Sequence, residues 1–134
     1  MLYNNINKSD TIRLAKEIGK TISKGDILLL YGELGTGKTF FVNNLCKYLK
    51  VKTIVNSPSY VLLNEYEGVF SVYHYDLYRL SSPEEALELG ILDRLNDGIT
   101  IIEWAEIIKK YIPNKYIEIY FEYNKNNRNI KVVK

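Results

Sequence analysis

Cysteine, histidine and tryptophan each occur once in this 134-residue chain, as Cys46, His74 and Trp104. A single cysteine excludes an internal disulfide and a paired-thiol redox centre. Cys46 falls among the apolar positions of its segment and reads as a packed thiol. No apolar run reaches the length of a membrane span, and the N-terminus lacks the charged-then-apolar pattern of a leader. Charge of one sign is also scarce: 18 basic against 16 acidic side chains give a net charge of +2, with no basic run. That balance argues against a dedicated nucleic-acid or membrane surface. Internal repeats and low-complexity linkers are missing too. What remains, 46% hydrophobic and 25% charged residues, is the composition of one soluble domain spanning 1–134, expected in the cytoplasm.

Against this ordinary background one stretch stands out. Gly32-Glu33-Leu34-Gly35-Thr36-Gly37-Lys38-Thr39 satisfies the phosphate-binding pattern G-x-x-x-x-G-K-[ST] without a mismatch. The strand-length apolar run Ile27–Tyr31 precedes it, and Phe41, Val42, Leu45, Cys46 and Leu49 follow at helical spacing. Strand, glycine loop and helix is the context the motif requires. Glycines let the backbone curl around a phosphate with its N–H groups pointing inward. The following helix aims the positive end of its dipole at the same anion. Lys38 adds a mobile positive charge for the β and γ phosphates, and Thr39 a hydroxyl for the accompanying Mg²⁺. Glu33, an anion inside the loop, is expected to point away from the ligand.

The rest of the chain supplies the frame. Residues 1–7 read as a short edge strand, and Ser9 or Asp10 caps a helix whose Ile12, Ala15, Ile18 and Ile22 share a face. Gly25 supplies the left-handed turn into the strand at Ile27. After the glycine-loop helix, Val51–Val55 reads as a second short strand entering a hydroxyl-rich loop, Asn56 to Tyr60. Residues 60–67 and 69–76 alternate about Gly68 as an antiparallel hairpin, with Val72, His74 and Asp76 on one face. Ser82, Pro83 and Glu85 mark a helix start with a capping box, and a short turn follows at Leu92 to Leu95. Ile99 to Ile102 is another apolar strand ending in Glu103-Trp104, and a brief helix runs on to Tyr111. Residues 116–123 and 128–133 close a final hairpin. The pattern predicts an α/β, P-loop NTPase-like three-layer fold with a mixed, mostly parallel sheet and two antiparallel hairpins. In such sheets the ligand sits outside the carboxyl ends of the strands.

Two acids lie at those ends. Glu103 occupies the position where a phosphate-loop protein places the acid that holds the metal's water shell. Asp76 is suited to orient the attacking water or support that shell; its competing role is to cap the turn before Ser81-Ser82. His74 is either a satisfied structural histidine or a chemical group. Ser57 and Ser59 either reach the γ-phosphate from their loop or serve only as loop hydroxyls. Trp104 reads as either a core anchor or an aromatic near the nucleotide, with the core the simpler place.

Residues 32–39, Ser57-Pro58-Ser59-Tyr60, His74-Tyr75-Asp76-Leu77-Tyr78-Arg79-Leu80, Pro83-Glu84-Glu85 and Ile102-Glu103-Trp104 together resemble the bacterial TsaE (YjeE) family. That family is the ATPase component of tRNA threonylcarbamoyladenosine synthesis. The resemblance runs from the first helix to the last hairpin, and H-x-D-L-Y-R joined to the glycine loop makes it specific. It implies Mg²⁺-dependent ATP binding and an ATPase that is weak alone and resets the transferase between turnovers. It also implies partnership with the other two proteins of the bacterial threonylcarbamoyl transferase complex, of the TsaB and TsaD type, with tRNA engaged indirectly and no membrane. By this resemblance Glu33, Leu34, Gly35, Thr36, Gly37 and Lys38 hold the nucleotide, Thr39 and Glu103 belong to the magnesium site, and Asp76 and Glu103 support hydrolysis. The segment around Ser9 to Thr11, Ser59, Glu106, Arg128 and Lys131 is likewise brought toward the nucleotide. Two residues depart from the pattern: Ser59 stands where threonine is usual, and Ala105 where proline is common.

Three other readings compete. A GTPase lacks its base-reading motif here, since Asn114-Lys115-Tyr116-Ile117 carries isoleucine in place of the acid. A small P-loop kinase closes an arginine-bearing lid, yet Arg13, Arg79, Arg94 and Arg128 are widely spread and no long insertion carries one. A nucleotide-sensing adaptor without significant turnover needs the same pocket as a slow ATPase.

Overall fold

Ile27-Leu28-Leu29-Leu30-Tyr31 is apolar throughout because the strand it forms is covered on both faces, its first four residues being fully buried. The computed structural model describes residues 1–33, 35–52, 62–113 and 115–134. In chain order these form β1 (Leu2–Ile6), α1 (Lys8–Thr21), β2 (Ile27–Tyr31), α2 (Lys38–Tyr48), β3 (Leu63–Glu67), β4 (Ser71–Asp76), α3 (Pro83–Glu88), β5 (Ile99–Glu103), β6 (Tyr116–Asn124) and β7 (Asn127–Val133). Single 3₁₀ turns at Leu92–Arg94, Ala105–Ile107 and Lys109–Tyr111 flank β5.

The strands make one sheet in the order β1-β7-β6-β2-β5-β4-β3. The central pairings β6–β2, β2–β5 and β5–β4 are parallel, and the outer three are antiparallel. Alternation along β2 sorts the core into two layers. Leu28 and Leu30 pack with α1, α2, Ile99 and Ile101, whereas Ile27 and Leu29 pack with Tyr75, Ala86, Ile91, Ile102 and Ile108 on the opposite face. Helix, sheet and helix-plus-turn layers follow, as the α/β reading predicts.

Capping explains where the helices begin. Asn7, rather than Ser9 or Asp10, is the cap of α1: its side chain accepts from Asp10 N–H at 2.9 Å, and the Asp10 carboxylate accepts from Asn7 N–H at 3.1 Å. That reciprocal box leaves Asp10 inside the first turn and contributes about 1 kcal/mol. It also sets the buried stripe to Thr11, Leu14, Ala15 and Ile18, with Ile12 only half-buried. Helix α3 starts at Pro83 with Ser82 accepting from Glu85 N–H, but the Glu85 carboxylate is reached by Ser81 N–H and Ser81 Oγ. Helix α2 buries Phe41, Val42, Leu45 and Cys46, the residues whose spacing marked it. Each large side chain there stabilises the layer by about 1.5–3 kcal/mol.

Some expectations shift. Val51 and Lys52 carry no strand, and the remainder of that expected strand, with the loop holding Ser57 and Ser59, lies outside the described residues. The brief helix before Pro113 resolves into two 3₁₀ turns. The first hairpin is β3–β4 about Gly68, and the last is β6–β7 with Asn124 opposite Asn127. No helix among the described residues is long and apolar enough to cross a membrane.

Candidate functional site

The loop between β2 and α2 leaves the sheet at the carboxyl ends of its parallel strands, and glycine is required there by contact as well as by conformation. At Gly32 (φ 145°) a Cβ would come within 2.6 Å of the Phe121 carbonyl oxygen. Gly37 (φ 102°) is the left-handed cap of α2, and a Cβ on it would meet Arg128 Nε at 3.3 Å. Thr36, buried, donates its hydroxyl to Glu33 O at 2.7 Å and tightens the turn. Glu33 itself is exposed, and Leu34 lies outside the described residues.

Lys38, the first residue of α2, is only 4% exposed. Its ammonium donates to the Gly32 carbonyl at 2.5 Å and lies 3.6 Å from Glu103 Oε1. The same nitrogen sits 4.8 Å from the Trp104 ring centroid. Trp104 is therefore more than a core anchor: it covers the lysine, with Tyr78 packed against it at 4.8 Å. Trp104 takes a left-handed backbone (φ 58°), uncommon for a bulky residue, immediately after Glu103. That kink ends β5 and turns the ring back over Lys38.

The acids come from the strand ends. Asp76 of β4 and Glu103 of β5 are register partners, and His74, Asp76 and Glu103 all lie on the α2 side of the sheet. Glu103 is buried, with His74 Nε2 2.6 Å from its Oε2. Asp76 is also buried; its Oδ1 accepts from Tyr78 N–H at 3.0 Å. Turn capping and a place beside Glu103 thus coexist in one residue. Burial pushes the Asp76 carboxyl above its ordinary range; the Tyr78 N–H pulls it back, Glu103 pushes it up further, and Lys38 and His74 oppose that.

Beside the loop lies a cavity of about 270 Å³ whose wall includes Thr11, Gly35, Thr36, Gly37, Thr39 and Arg128. Asn7, Lys8, Phe40 and Phe121 complete much of its lining. The structure thus gathers Thr11, Thr39, Arg128 and the loop around one space, with Lys38, Asp76 and Glu103 next to it. It does not bring Glu106 or Lys131 there. Glu106 is exposed on the Ala105–Ile107 turn beside Pro83 and Lys109. Lys131 lines a neighbouring cleft with Tyr31, Tyr120 and Gly32, the first residue of the loop. In sequence terms Arg128 and Lys131 are equivalent basic residues of one hairpin, but odd spacing on a strand puts them on opposite faces.

Tyr123 escaped the sequence reading. Its hydroxyl donates to the Gly35 carbonyl, and its ring stacks under the Arg128 guanidinium at 4.6 Å. Together the two residues tie the final hairpin to the glycine loop. The hairpin register, which pairs Tyr123 with Arg128, is the signal that locates them.

Comparison with known proteins places the chain in a family. A family model described as "Threonylcarbamoyl adenosine biosynthesis protein TsaE" matches residues 6–130. The tRNA threonylcarbamoyladenosine biosynthesis protein TsaE of Rickettsia conorii is 43% identical over 126 residues, 92% of this chain and 72% of that protein. Its namesake in Bacillus subtilis is 34% identical over 119 residues, 87% of this chain and 74% of that one. Among solved structures, the crystal structure of Bacillus subtilis YdiB superposes with a TM-score of 0.77 at 28% identity, covering 97% of this chain and 82% of that chain. Matched from the first strand to the last, the chain belongs to the TsaE family.

Proposed function

We propose that the chain is a slow, Mg²⁺-dependent ATPase acting in tRNA threonylcarbamoyladenosine biosynthesis, with partners of the TsaB and TsaD type. The pathway assignment follows its relatives, which carry that function in their names. The single observation that supports the chemistry is the placement of Lys38. A buried ammonium held between the Gly32 carbonyl and the Glu103 carboxylate, at the start of α2, is a mobile cation aimed along the mouth of a glycine loop.

The residues present suit a magnesium nucleotide. Among the described residues no group of three or more His, Cys, Asp or Glu side chains is arranged to hold a metal by itself. Magnesium does not require one, because it takes oxygen donors, keeps several waters and shares the substrate's phosphates. The Thr39 hydroxyl and the Glu103 carboxylate are the oxygen donors suited to it. When bound, the ion offsets the charge that accumulates on the phosphate oxygens.

The chain's own contributions are distinct. Main-chain N–H groups of residues 35–39 and the N-terminus of α2 receive the phosphates. Lys38 exchanges its carbonyl and carboxylate partners for phosphate oxygens. Asp76, held by Tyr78 N–H through Oδ1, keeps its other oxygen to orient the attacking water. Its raised proton affinity makes it a better acceptor than an ordinary aspartate. The cavity beside Thr11, Phe40 and Arg128 is the space for the nucleoside.

The test is phosphate release by the full chain, alone and with its two partner proteins, with and without a magnesium chelator. Slow release that rises with the partners and stops with the chelator is expected. Release indifferent to the partners, together with no association between the proteins, would remove the pathway role.

A further inference from the structure

We propose that His74 is a positioning residue for Glu103, fixing its carboxylate so that one oxygen faces the phosphate loop and its magnesium. The inference rests on the nucleotide reading above. His74 is fully buried on β4, two register positions before the Asp76–Glu103 pair and on the same face, and its ring reaches along the sheet to the acid. The two oxygens of Glu103 are thereby distinguished. Oε2 is taken by His74 Nε2 at 2.6 Å, while Oε1 lies toward Lys38 Nζ at 3.6 Å.

The proposal carries an assignment of the ring: a carboxylate oxygen held by His74 accepts, which puts the donor N–H on Nε2. The other nitrogen, Nδ1, faces the buried Tyr66 hydroxyl at 3.5 Å, and the tilted Tyr66 ring packs alongside at 6.1 Å between centroids. Tyr66 itself packs in the apolar cluster with Val72, Ile99 and Ile101. The imidazole is thus gripped from a dry core on one side and presents a single N–H on the other. Without it Oε2 would be buried beside apolar side chains, and the acid would rotate toward whatever donor it could find. Supports of this kind, behind a metal-binding carboxylate, typically alter metal affinity by 10–100-fold.

His74 is the only histidine in the chain, so its imidazole resonances need no assignment by mutation. In the ¹⁵N-labelled full chain we expect the proton on Nε2, held in slow exchange; a ring protonated at Nδ1 alone would overturn the proposal even if every variant failed to fold. Calorimetry with a non-hydrolysable ATP analogue, over a magnesium series, then compares wild type, His74→Phe and His74→Gln. Phenylalanine keeps the bulk and loses the donor, whereas the glutamine amide restores a donor near Nε2. In His74→Phe the magnesium concentration for half-maximal tightening should rise on the order of 10–100-fold, and His74→Gln should stay within about threefold of wild type. Binding without magnesium should be alike in all three. Equal magnesium dependence in wild type and His74→Phe would overturn the inference, as would glutamine failing as badly as phenylalanine. A wild type whose analogue binding ignores magnesium would instead overturn the underlying magnesium reading, and this inference with it.

Discussion

Asp76 and Glu103 end adjacent parallel strands directly opposite each other, so two buried carboxylates stand side by side next to Lys38. Such a pair is tolerable only with positive charge or protons nearby, and Lys38 and the His74 N–H supply the balance. The arrangement separates two jobs. Glu103 is tied into the lysine and histidine; among the described residues Asp76 is tied to its own turn through Tyr78 N–H.

Asp76→Asn should therefore leave nucleotide binding nearly intact while slowing hydrolysis by about 10²–10⁴-fold, the range for loss of a positioned acid–base group. Asparagine keeps an oxygen for Tyr78 N–H, so the turn survives. Single-turnover phosphate release measured beside analogue affinity gives the answer, and unchanged turnover would take Asp76 out of the mechanism.

Tyr123→Phe removes the hydroxyl that the Gly35 carbonyl accepts, and with it a tie worth about 1 kcal/mol. The phosphate loop should loosen, and nucleotide affinity should fall by about fivefold through faster dissociation, with the Arg128–ring stack retained. Stopped-flow release of a fluorescent nucleotide measures this. An unaltered dissociation rate would mean the hairpin does not brace the loop.

Much of this was legible from the sequence, and the boundary has a physical origin. Local rules found β2, the glycine loop, α2 and both hairpins, because apolar spacing, glycine conformation and alternation act over a few residues. Strand alternation also placed Val72, His74 and Asp76 on one face, as the structure shows. What alternation does not encode is which strands become neighbours. The pairing of Asp76 with Glu103 was legible only as two acids at strand ends, and the His74–Glu103 bond not at all. Glu106 and Lys131 join the nucleotide residues by resemblance alone; in the structure Glu106 lines a depression with Pro83 and Lys109, and Lys131 a cleft with Tyr31, Gly32 and Tyr120. The cap of α1 falls at Asn7 for a different reason: Asn7, Ser9 and Asp10 are all good capping types, and the third-residue relation between Asn7 and Asp10 selects among them.

Away from the site, Glu118 predicts a pH effect on stability. Burial pushes its carboxyl up, but hydrogen bonds from Lys109 and Tyr31 and the Lys109 charge outweigh this and hold it below its ordinary value of 4.5. Lys109 Nζ lies 2.7 Å and the Tyr31 hydroxyl 2.8 Å from the same oxygen. A lowered folded-state value stabilises the protein above the unfolded-state value and loses that contribution as pH falls through the folded one. Because Lys109 is half-exposed, the contribution is discounted to about 1 kcal/mol. Glu118→Gln should melt about 4 °C lower at pH 7, with the gap closing below pH 4.5. A gap constant across that range would contradict the assignment.

Burial pushes the Cys46 thiol up to about 12, leaving almost no thiolate at neutral pH. The native chain should resist aromatic disulfide reagents and react fully once unfolded in denaturant, so labelling rate reports opening of the α2 layer. Complete reaction of the native chain within minutes would contradict the packing of α2 against the sheet.

The claim beneath the proposed function is that residues 32–39 hold a triphosphate with Lys38 as its mobile counter-charge. Calorimetric titration of a non-hydrolysable ATP analogue into wild type and Lys38→Ala tests it most directly. Loss of a charge-assisted contact of about 1.5–3 kcal/mol predicts affinity lower by about 10–100-fold or beyond detection. Binding as tight in Lys38→Ala as in wild type would contradict it.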